Sequence, residues 1–298
     1  MSASVVSRVR CDNRSLTVTA QNQRFRTARA SKRHAGHHTS AWLIALLAGT
    51  VLLRGQNQPA SDEPISTDRP AIAESSTVVP YGSFQVENGF LVTTDQGQRT
   101  FDAPETDMRF GVATNTELRF SAPDYYHDFD SATGVGSGFG DITIGMKEQL
   151  GPADGFDVSI IVFLNLPTGA VAVSSHGYDP GLQLPWSRKL SDNWTAAGQL
   201  ALYWPTTELS THVDTRTLTG ESTFLLDRQL TKPMDAFIEY AGDFPQRGGP
   251  RHLLHFGVAY KITPHQQLDI HYGIGLSSAA IDHFIGIGYS FRFQAIRR

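Results

Sequence analysis

The segment "IGIGYSFRF", residues 285–293, decides the fold of this chain. Ile285, Ile287, Tyr289, Phe291 and Phe293 are apolar at every second position, and small or polar residues lie between them. Successive side chains of a β-strand point to opposite faces, so a period of two predicts a strand with one apolar and one polar face.

The same alternation recurs along most of the chain beyond residue 82. The segment "ELRFSA" (117–122) places Leu118 and Phe120 opposite Glu117 and Arg119, and "QLDIHYGIGL" (267–276) repeats the pattern. No useful stretch of helical period follows the first sixty residues. Twelve alternating segments occur in total, and they predict an all-β protein.

Short and long connections alternate between these segments. The five short turns cover 113–116, 151–155, 190–193, 230–233 and 262–265. The six longer polar links cover 95–104, 123–137, 167–179, 205–212, 242–250 and 277–282. This layout predicts a transmembrane antiparallel β-barrel of about twelve strands, with short periplasmic turns and longer extracellular loops.

The apolar face of these segments is almost free of charge, whereas the other face mixes charges with Gly, Ser, Thr and Ala. A bilayer requires apolar side chains toward lipid and a fully paired backbone, so a membrane sheet has to close. A soluble β-sandwich or lipocalin-like barrel is the alternative. Aromatic residues near strand ends suit an interfacial girdle. They are Phe84, Trp186, Trp194, Trp204, Tyr240 and Phe293.

Residues 1–60 form a basic leader with nine Lys or Arg residues and a single acid, Asp12. Within it, the thirteen uncharged residues "AWLIALLAGTVLL" (41–53) are too few for a transmembrane helix and match the apolar part of a secretory signal. The sequence therefore predicts a signal segment over 1–60, export, and a location in the outer membrane. The single cysteine, Cys11, lies in this leader, so no disulfide framework is expected in the mature protein.

The remainder of the chain is acidic. Subtracting the leader from the totals of 25 basic and 29 acidic residues leaves 16 and 28 in residues 61–298, a net charge of about −12. Phosphate backbones are bound by basic surfaces, so this balance argues against nucleic acid as a partner.

The exported part divides into three segments. Residues 61–82 contain three prolines and no period, which predicts a periplasmic or plugging arm. Residues 83–293 hold the alternating segments of the outer-membrane barrel, and residues 294–298, "QAIRR", form a C-terminal tail. The aromatic finish at Phe293 resembles the terminal signal read by the barrel-assembly machinery, which is therefore an expected partner together with outer-membrane lipid.

Several motifs resemble one family, labelled MetA-pathway of phenol degradation. They are "STDRPAIAESSTVVPYGSFQVENGF" (66–90), "GFGDITIGMKEQL" (138–150), "LNLPTG" (164–169) and the final three strands within 248–293. The resemblance spans roughly 66–293, and the long leader and "QAIRR" depart from it. It implies an outer-membrane barrel that passes hydrophobic or aromatic compounds, and it implies no catalytic residues.

Charged residues on the polar face, with the Asp-Arg pair of "TDRP" in the arm, are the candidates for lining a substrate path. Two readings stay open: a permeation path, or a filled lumen with an internal lattice of ion pairs. For Asp68 and Arg69, either a gate at the barrel mouth or a structural turn with a lumen ion pair fits. The candidates are Asp68, Arg69, Glu87, Asp107, Arg109, Glu117, Arg119, Asp141, Lys147, Asp157, Glu221, Glu239, Asp269 and His271.

Catalysis and metal binding have weaker support. Ser174, Ser175, His176 and His212 could serve a surface hydrolase, but there is no G-x-S-x-G motif. The histidines lack metal-ligand spacing, and the acidic aromatic loop "PDYYHDFDSATG" (123–134) lacks regular alternation of ligands, so no metal and no cofactor is expected.

The sequence thus predicts a non-enzymatic outer-membrane channel for small, hydrophobic or aromatic molecules that moves them by passive diffusion. A non-conducting structural barrel and an outer-membrane hydrolase are the alternatives.

Overall fold

The computed structural model describes residues 63–129, 137–208 and 214–296. The predicted leader and His212 lie outside these residues. No helix in the described ranges is long and apolar enough to cross a membrane. The strands are β1 Ser83–Asp95, β2 Gln98–Ala103, β3 Asp107–Gly111, β4 Thr116–Ser121, β5 Tyr125–Asp128, β6 Gly138–Phe139, β7 Ile142–Gln149, β8 Phe156–Leu166, β9 Asp179–Ser191, β10 Trp194–Tyr203, β11 Thr206–Glu208, β12 Asp214–Arg216, β13 Thr219–Thr231, β14 Met234–Pro245, β15 Arg251–Thr263, β16 Gln266–Gly275 and β17 His283–Gln294.

The main sheet closes on itself. The last strand, β17, pairs antiparallel with β1 from Ser83↔Gln294 to Thr94↔His283, and every other neighbour is also antiparallel. Twelve strands form the wall, in the order β1, β3, β4, β7, β8, β9, β10, β13, β14, β15, β16 and β17. The predicted twelve-stranded antiparallel barrel is confirmed, and closure leaves no free sheet edge.

Three of the predicted long links carry strand structure. In the link at 95–104, β2 pairs with the second half of β1, and in the link at 123–137, β5 pairs with β2; β5 also pairs with β6, which begins directly after that link. The link at 205–212 includes β11, which pairs with β12 in a separate ladder. β2, β5 and β6 extend the wall beyond the barrel at the end opposite the short turns, because β1 continues past β3 and pairs there with β2.

The two faces of the wall are inverted relative to a soluble protein. On β17, Ile285 and Ile287 point outward and are 47% and 52% exposed, whereas Phe284 and Ser290 point inward and are buried. Arg109 and Lys147 are among the most buried large side chains of the described residues. An apolar exterior around a polar interior is the arrangement that a bilayer requires, and it excludes the soluble sandwich.

Pro185 lies inside β9, although proline is unfavourable within a paired strand. The structure keeps it in the strand, opposite Gln199 of β10. On the other side, the β8–β9 register has partners at Val158↔Trp186 and Ile161↔Gln183 with a gap between them. Proline has no N–H to donate, so the ladder skips this position and resumes beyond it.

The last strand runs one residue beyond the predicted end at Phe293. Gln294 pairs with Ser83, and the N–H groups of Ala295 and Ile296 both donate to the carbonyl of Gly82 (2.8 and 3.0 Å). The start of the tail therefore continues the contact between the two ends of the barrel.

A charge on the outer face tests its orientation. Ile270 lies near the middle of β16 and is half exposed. I270R is expected to lower the free energy of unfolding in lipid vesicles by about 2–4 kcal/mol, because arginine at the bilayer midplane loses its hydration. The urea midpoint measures this change. V171R is the control, since Val171 is exposed in the loop after β8. Equal midpoints for the two variants would contradict the lipid-facing assignment.

Candidate functional site

The chain ahead of β1 lies inside the barrel. It enters at the turn end, where the N–H of Ile65 donates to the carbonyl of Pro264 (2.7 Å), and leaves at the same end, where Tyr81 forms a bridge with Gly111. Between these points Ala73 and Val79 are buried. We call residues 65–79, the central part of the predicted arm at 61–82, the arm from here on. They lie across the lumen and occupy its middle.

The wall binds the backbone of the arm with acidic side chains. Glu87 of β1 accepts from the N–H groups of Asp68 and Arg69 (both 3.0 Å to Oε2), and Glu239 of β14 accepts from those of Ile72 and Ala73 (both 2.8 Å). The arm has no regular structure of its own, and buried amides need partners. These carboxylates therefore fix the path of the arm.

Further contacts carry the arm across the remaining strands. The N–H of Glu74 donates to Gln199 of β10 (3.0 Å), that of Val79 donates to Glu117 of β4 (2.7 Å), and the hydroxyls of Ser76 and Ser187 are 2.8 Å apart. The arm is thus held from β1 round to β14, across the whole section of the lumen.

A group of buried charges surrounds Asp68. Its carboxylate lies 3.2 Å from Arg109 of β3, 2.8 Å from Arg119 of β4 and 3.2 Å from Lys147 of β7. We call this the docking cluster, and its other acids are Glu74, Glu87, Asp107 and Glu117. Breaking a buried ion pair leaves an uncompensated charge, so these contacts oppose withdrawal of the arm.

The two acids that the arm contributes to the docking cluster differ in protonation. Burial raises the pKa of Asp68, but Arg109, Arg119 and Lys147 outweigh it and hold this pKa well below its usual value. For Glu74, burial raises the pKa to about 8, and the neighbouring charge of Asp68 adds to the effect against the attraction of Arg119. Near neutral pH Asp68 is therefore charged, whereas Glu74 keeps its proton.

Arg69 forms a second anchor on the neighbouring part of the wall, at β16, β17 and the segment before β3. Its guanidinium lies 2.7 Å from Glu105 and 3.3 Å from Asp269, and also donates to the carbonyl of Ile287 (3.3 Å). Gly288 of β17 makes this position possible, since a Cβ there would meet Arg69 and would lie 2.6 Å from Asp269 Oδ2. Of the glycines between the apolar residues of the last strand, Gly288 leaves the room that Arg69 occupies and Gly286 leaves room for His271.

Two histidines in series connect Glu239, which binds the arm backbone, with Arg69 of the second anchor. Glu239 accepts from His255 Nδ1 (2.8 Å), and His255 Nε2 lies 3.0 Å from His271 Nδ1. His271 Nε2 in turn faces Arg69 Nη2 at 3.4 Å. With a carboxylate at one end and a guanidinium at the other, both rings satisfy every contact as neutral imidazoles, each donating from Nδ1.

The candidates predicted from the sequence separate into several groups. The docking cluster contains Asp68, Glu87, Asp107, Arg109, Glu117, Arg119 and Lys147. The second anchor contains Arg69, Asp269 and His271, and Glu239 binds the arm between them. Three candidates lie apart. Asp141 accepts from the N–H of Gly169 (2.8 Å) and holds the following loop, Glu221 binds Gln199 (2.5 Å), and Asp157 lies beside Ser187 in the β8–β9 register.

Glu74, Glu105 and His255 also belong to the site but are missing from the predicted set. Glu74 and Glu105 lie outside strands, where a period of two gives no information about direction. His255 lies at an inward position of β15, in phase with the polar face, and the alternation was sufficient to find it.

The extracellular half of the lumen is apolar on one side. Leu91, Leu253, Ile281 and Phe284 are buried in one cluster, and Ile72 of the arm packs against it. A cavity of about 70 Å³ lies between this side, the arm and Glu105. Phe284 and Ile72 border this cavity, whose other lining residues are mostly polar or charged, so the cavity has one apolar side.

Three neighbouring strands of the wall are interrupted at the same level. Residues 104–106 separate β2 from β3, residues 122–124 separate β4 from β5, and residues 140–141 separate β6 from β7. We call these three segments the seam. The N–H of Ala122 donates to Thr106 (2.9 Å) and that of Gly140 to Asp124 (2.7 Å), so the wall stays joined where regular pairing stops. The cavity reaches the seam at Glu105 and Thr106.

The residues considered for catalysis have structural contacts. The hydroxyl of Ser175 donates to Asp141 (3.3 Å), that of Ser174 accepts from the N–H of His176 (3.1 Å), and His176 Nε2 lies 3.1 Å from the carbonyl of Val171. No imidazole nitrogen of a described histidine contacts the hydroxyl of Ser174 or Ser175. Among the described residues, no group of three or more His, Cys, Asp or Glu side chains could hold a metal ion.

A side chain at Gly288 is expected to loosen the arm. In G288V the added methyl groups occupy the place of the Arg69 guanidinium, so conductance in planar bilayers should rise above that of the wild type. G220V is the matched control, since a Cβ at Gly220 meets no atom within 4 Å. If G288V conducts like G220V, Arg69 does not hold the arm closed.

Stability should depend on pH through Glu74. Its pKa of about 8 in the folded protein exceeds the ordinary 4.5, so the folded state keeps a proton that the unfolded chain loses. The stability this gives is complete below about pH 4.5 and declines as the pH rises toward about 8. Between about pH 5 and pH 8.5, the urea midpoint of the wild type should therefore fall relative to E74Q, whose amide does not ionise.

The exposed turn residue Asp154 supplies the control for that experiment, and D154N should follow the wild type across the range. A constant difference between the wild type and E74Q over the same range would show that Glu74 does not bind the extra proton.

The fold and the family are both recognisable by comparison. The COG4313 outer membrane channel from Pseudomonas putida F1 superposes with a TM-score of 0.56 at 13% identity, covering 73% of this chain and 98% of the other. The NanC porin superposes with a TM-score of 0.51 at 11% identity, covering 70% and 98%. At these identities the likeness shows a shared barrel fold. No curated protein sequence matches the chain.

The family comparison extends over most of the sequence. The model described as "Putative MetA-pathway of phenol degradation" matches residues 67–293, from the arm to the penultimate residue of β17. It includes the anchors Asp68 and Arg69 and the glycines opposite them. The chain belongs to this family.

Proposed function

We propose that this protein is an outer-membrane channel that passes small hydrophobic or aromatic molecules by passive diffusion. The observation that carries the proposal is the apolar cluster inside the barrel, where Leu91, Leu253, Ile281 and Phe284 pack together and Phe284 borders the cavity beside the arm. The family description, which refers to phenol degradation, supports an aromatic substrate. The barrel fold supports an outer-membrane location after export through the leader.

The arm limits the route that a substrate can take. Its backbone and charges are bound on opposite sides of the lumen, so an axial path past it requires breaking buried ion pairs such as Asp68–Arg119 (2.8 Å) and Arg69–Glu105 (2.7 Å). Breaking one buried pair costs about 3–5 kcal/mol. Passage along the axis is therefore opposed while the arm is docked.

The seam offers a route that leaves the arm in place. β4 has six residues between its turn and the seam, which is about 20 Å along the strand and about 15 Å of height at a tilt near 40°. The apolar band of such barrels is about 25 Å tall, so the seam lies within it. Exposed Phe120 and Ile144 below the seam, and Tyr125 and Phe139 above it, face the lipid. Exit through the seam would deliver an apolar molecule into the membrane.

A cross-link between the arm and the wall distinguishes the two routes. The Ser76 and Ser187 hydroxyls are 2.8 Å apart, and the sole cysteine, Cys11, lies in the leader, so S76C/S187C should form one disulfide on mild oxidation. Uptake of a radiolabelled aromatic hydrocarbon by Gram-negative cells is expected to exceed the empty-vector rate with the wild type and to persist with the oxidised variant, because the seam bypasses the arm.

The single variant S187C and the reduced double variant are the controls. Loss of uptake on oxidation, with recovery on reduction, would assign the route to movement of the arm. Uptake by the wild type no faster than the empty vector, together with no conductance in planar bilayers, would contradict the channel and favour the non-conducting structural barrel.

A further inference from the structure

Two arginines lie on the outer face of the barrel near the turn end of their strands. Arg188 of β9 is two residues beyond Trp186, Arg228 of β13 is two residues beyond Leu226, and both arginines are exposed. Each has the phase of the lipid-facing residues of its strand. The two strands flank β10, so the arginines are about two strand spacings, or roughly 10 Å, apart.

Each arginine stacks on an aromatic ring that begins the neighbouring strand. The Arg188 guanidinium carbon lies 4.7 Å from the ring centroid of Phe156, and that of Arg228 lies 5.2 Å from Trp194. Each pair is directly opposite in the register of its ladder. A cation on an aromatic face keeps its orientation while its N–H donors stay available.

The two guanidiniums have no carboxylate partner within residues 63–129, 137–208 and 214–296, whereas neighbouring cations do. Lys189 pairs with Asp192 (3.0 Å) and Lys261 with Asp235 (2.5 Å). Lys232 lies on the next turn and is also basic. The exported chain has a net charge of about −12, so a basic patch at one part of its rim contrasts with the rest of the molecule.

The outer face of β10 beside the arginines is covered by aromatic rings. The outward positions of β10 after Trp194 are Ala196 and Gly198, which are small and buried. Trp186 and Phe224, from the strands on either side, meet over Gly198 with ring centroids 6.1 Å apart. These rings present an apolar surface on the membrane side of the arginines, against which a hydrocarbon chain can pack.

We propose that Arg188 and Arg228 bind the phosphate headgroup of an anionic phospholipid in the periplasmic leaflet, with an acyl chain packed against the outward rings of Trp186 and Phe224. The short turns face the periplasm, where the leaflet consists of phospholipids, so the patch meets phosphate groups at its own level. Guanidinium groups bind phosphate in a bidentate way, and the stacked rings belong to the interfacial girdle. This site is independent of the channel.

The test is native mass spectrometry of the folded barrel released from detergent micelles. Phosphatidylglycerol, phosphatidylcholine and inorganic phosphate are added in separate titrations. We expect the wild type to retain phosphatidylglycerol in preference to phosphatidylcholine, and R188Q/R228Q to retain it more than about tenfold less, since each basic residue near an anionic surface contributes roughly fivefold.

The matched control is K189Q/K261Q, which removes the same charge from the turn end at two lysines already paired with Asp192 and Asp235, and it should stay within about twofold of the wild type. Heat-modifiable gel migration verifies that both variants are folded. Equal loss in the two double variants would show a general charge effect and overturn the site. So would unchanged binding in R188Q/R228Q, or full competition by inorganic phosphate, which would mean a free anion in place of a lipid.

Discussion

The carboxylate of Asp68 is the contact on which the interior of this protein depends. Three cations from three strands, Arg109, Arg119 and Lys147, converge on it within 3.2 Å. The same cations also pair with the wall acids Glu87, Asp107 and Glu117, so Asp68 joins a network of buried charges from which one partner is removed only at a cost. The wall and the arm are therefore parts of one charge distribution, and the arm lies in the middle of the lumen because its carboxylate reaches all three cations.

The bilayer imposes this arrangement indirectly. Lipid on the outside restricts outward positions to apolar residues, so the polar residues of every strand point inward. A barrel of twelve strands has a narrow bore, and its inward charges lie close enough to require pairing. Carboxylates such as Glu87 and Glu239 satisfy the arm backbone at the same time. The apolar cluster at Leu253 and Phe284 is where this polar network ends, and Phe284 brings an apolar ring to the edge of the cavity.

The last strand serves three requirements with one alternating pattern. Its outward residues, such as Ile287, face lipid, and its edge pairs with β1 to close the sheet. Its inward glycines, such as Gly288, leave room for Arg69. A larger residue would keep the strand and its lipid face but would exclude the arm. The glycines are thus needed for the interior, whereas the strand alone would tolerate many residues.

The sequence by itself determined the barrel, because a period of two and the alternation of short and long links are local properties that survive in a one-dimensional pattern. It also placed most of the lumen charges, such as Arg109 and Lys147, since strand phase gives the direction of a side chain. Only the tertiary structure decided that the arm lies inside, that Glu74 and Glu105 join the site, and that three strands break at one level. Those features depend on contacts between residues far apart in the chain, such as Arg69 and Asp269, and irregular backbone has no period from which the direction of a side chain could be derived.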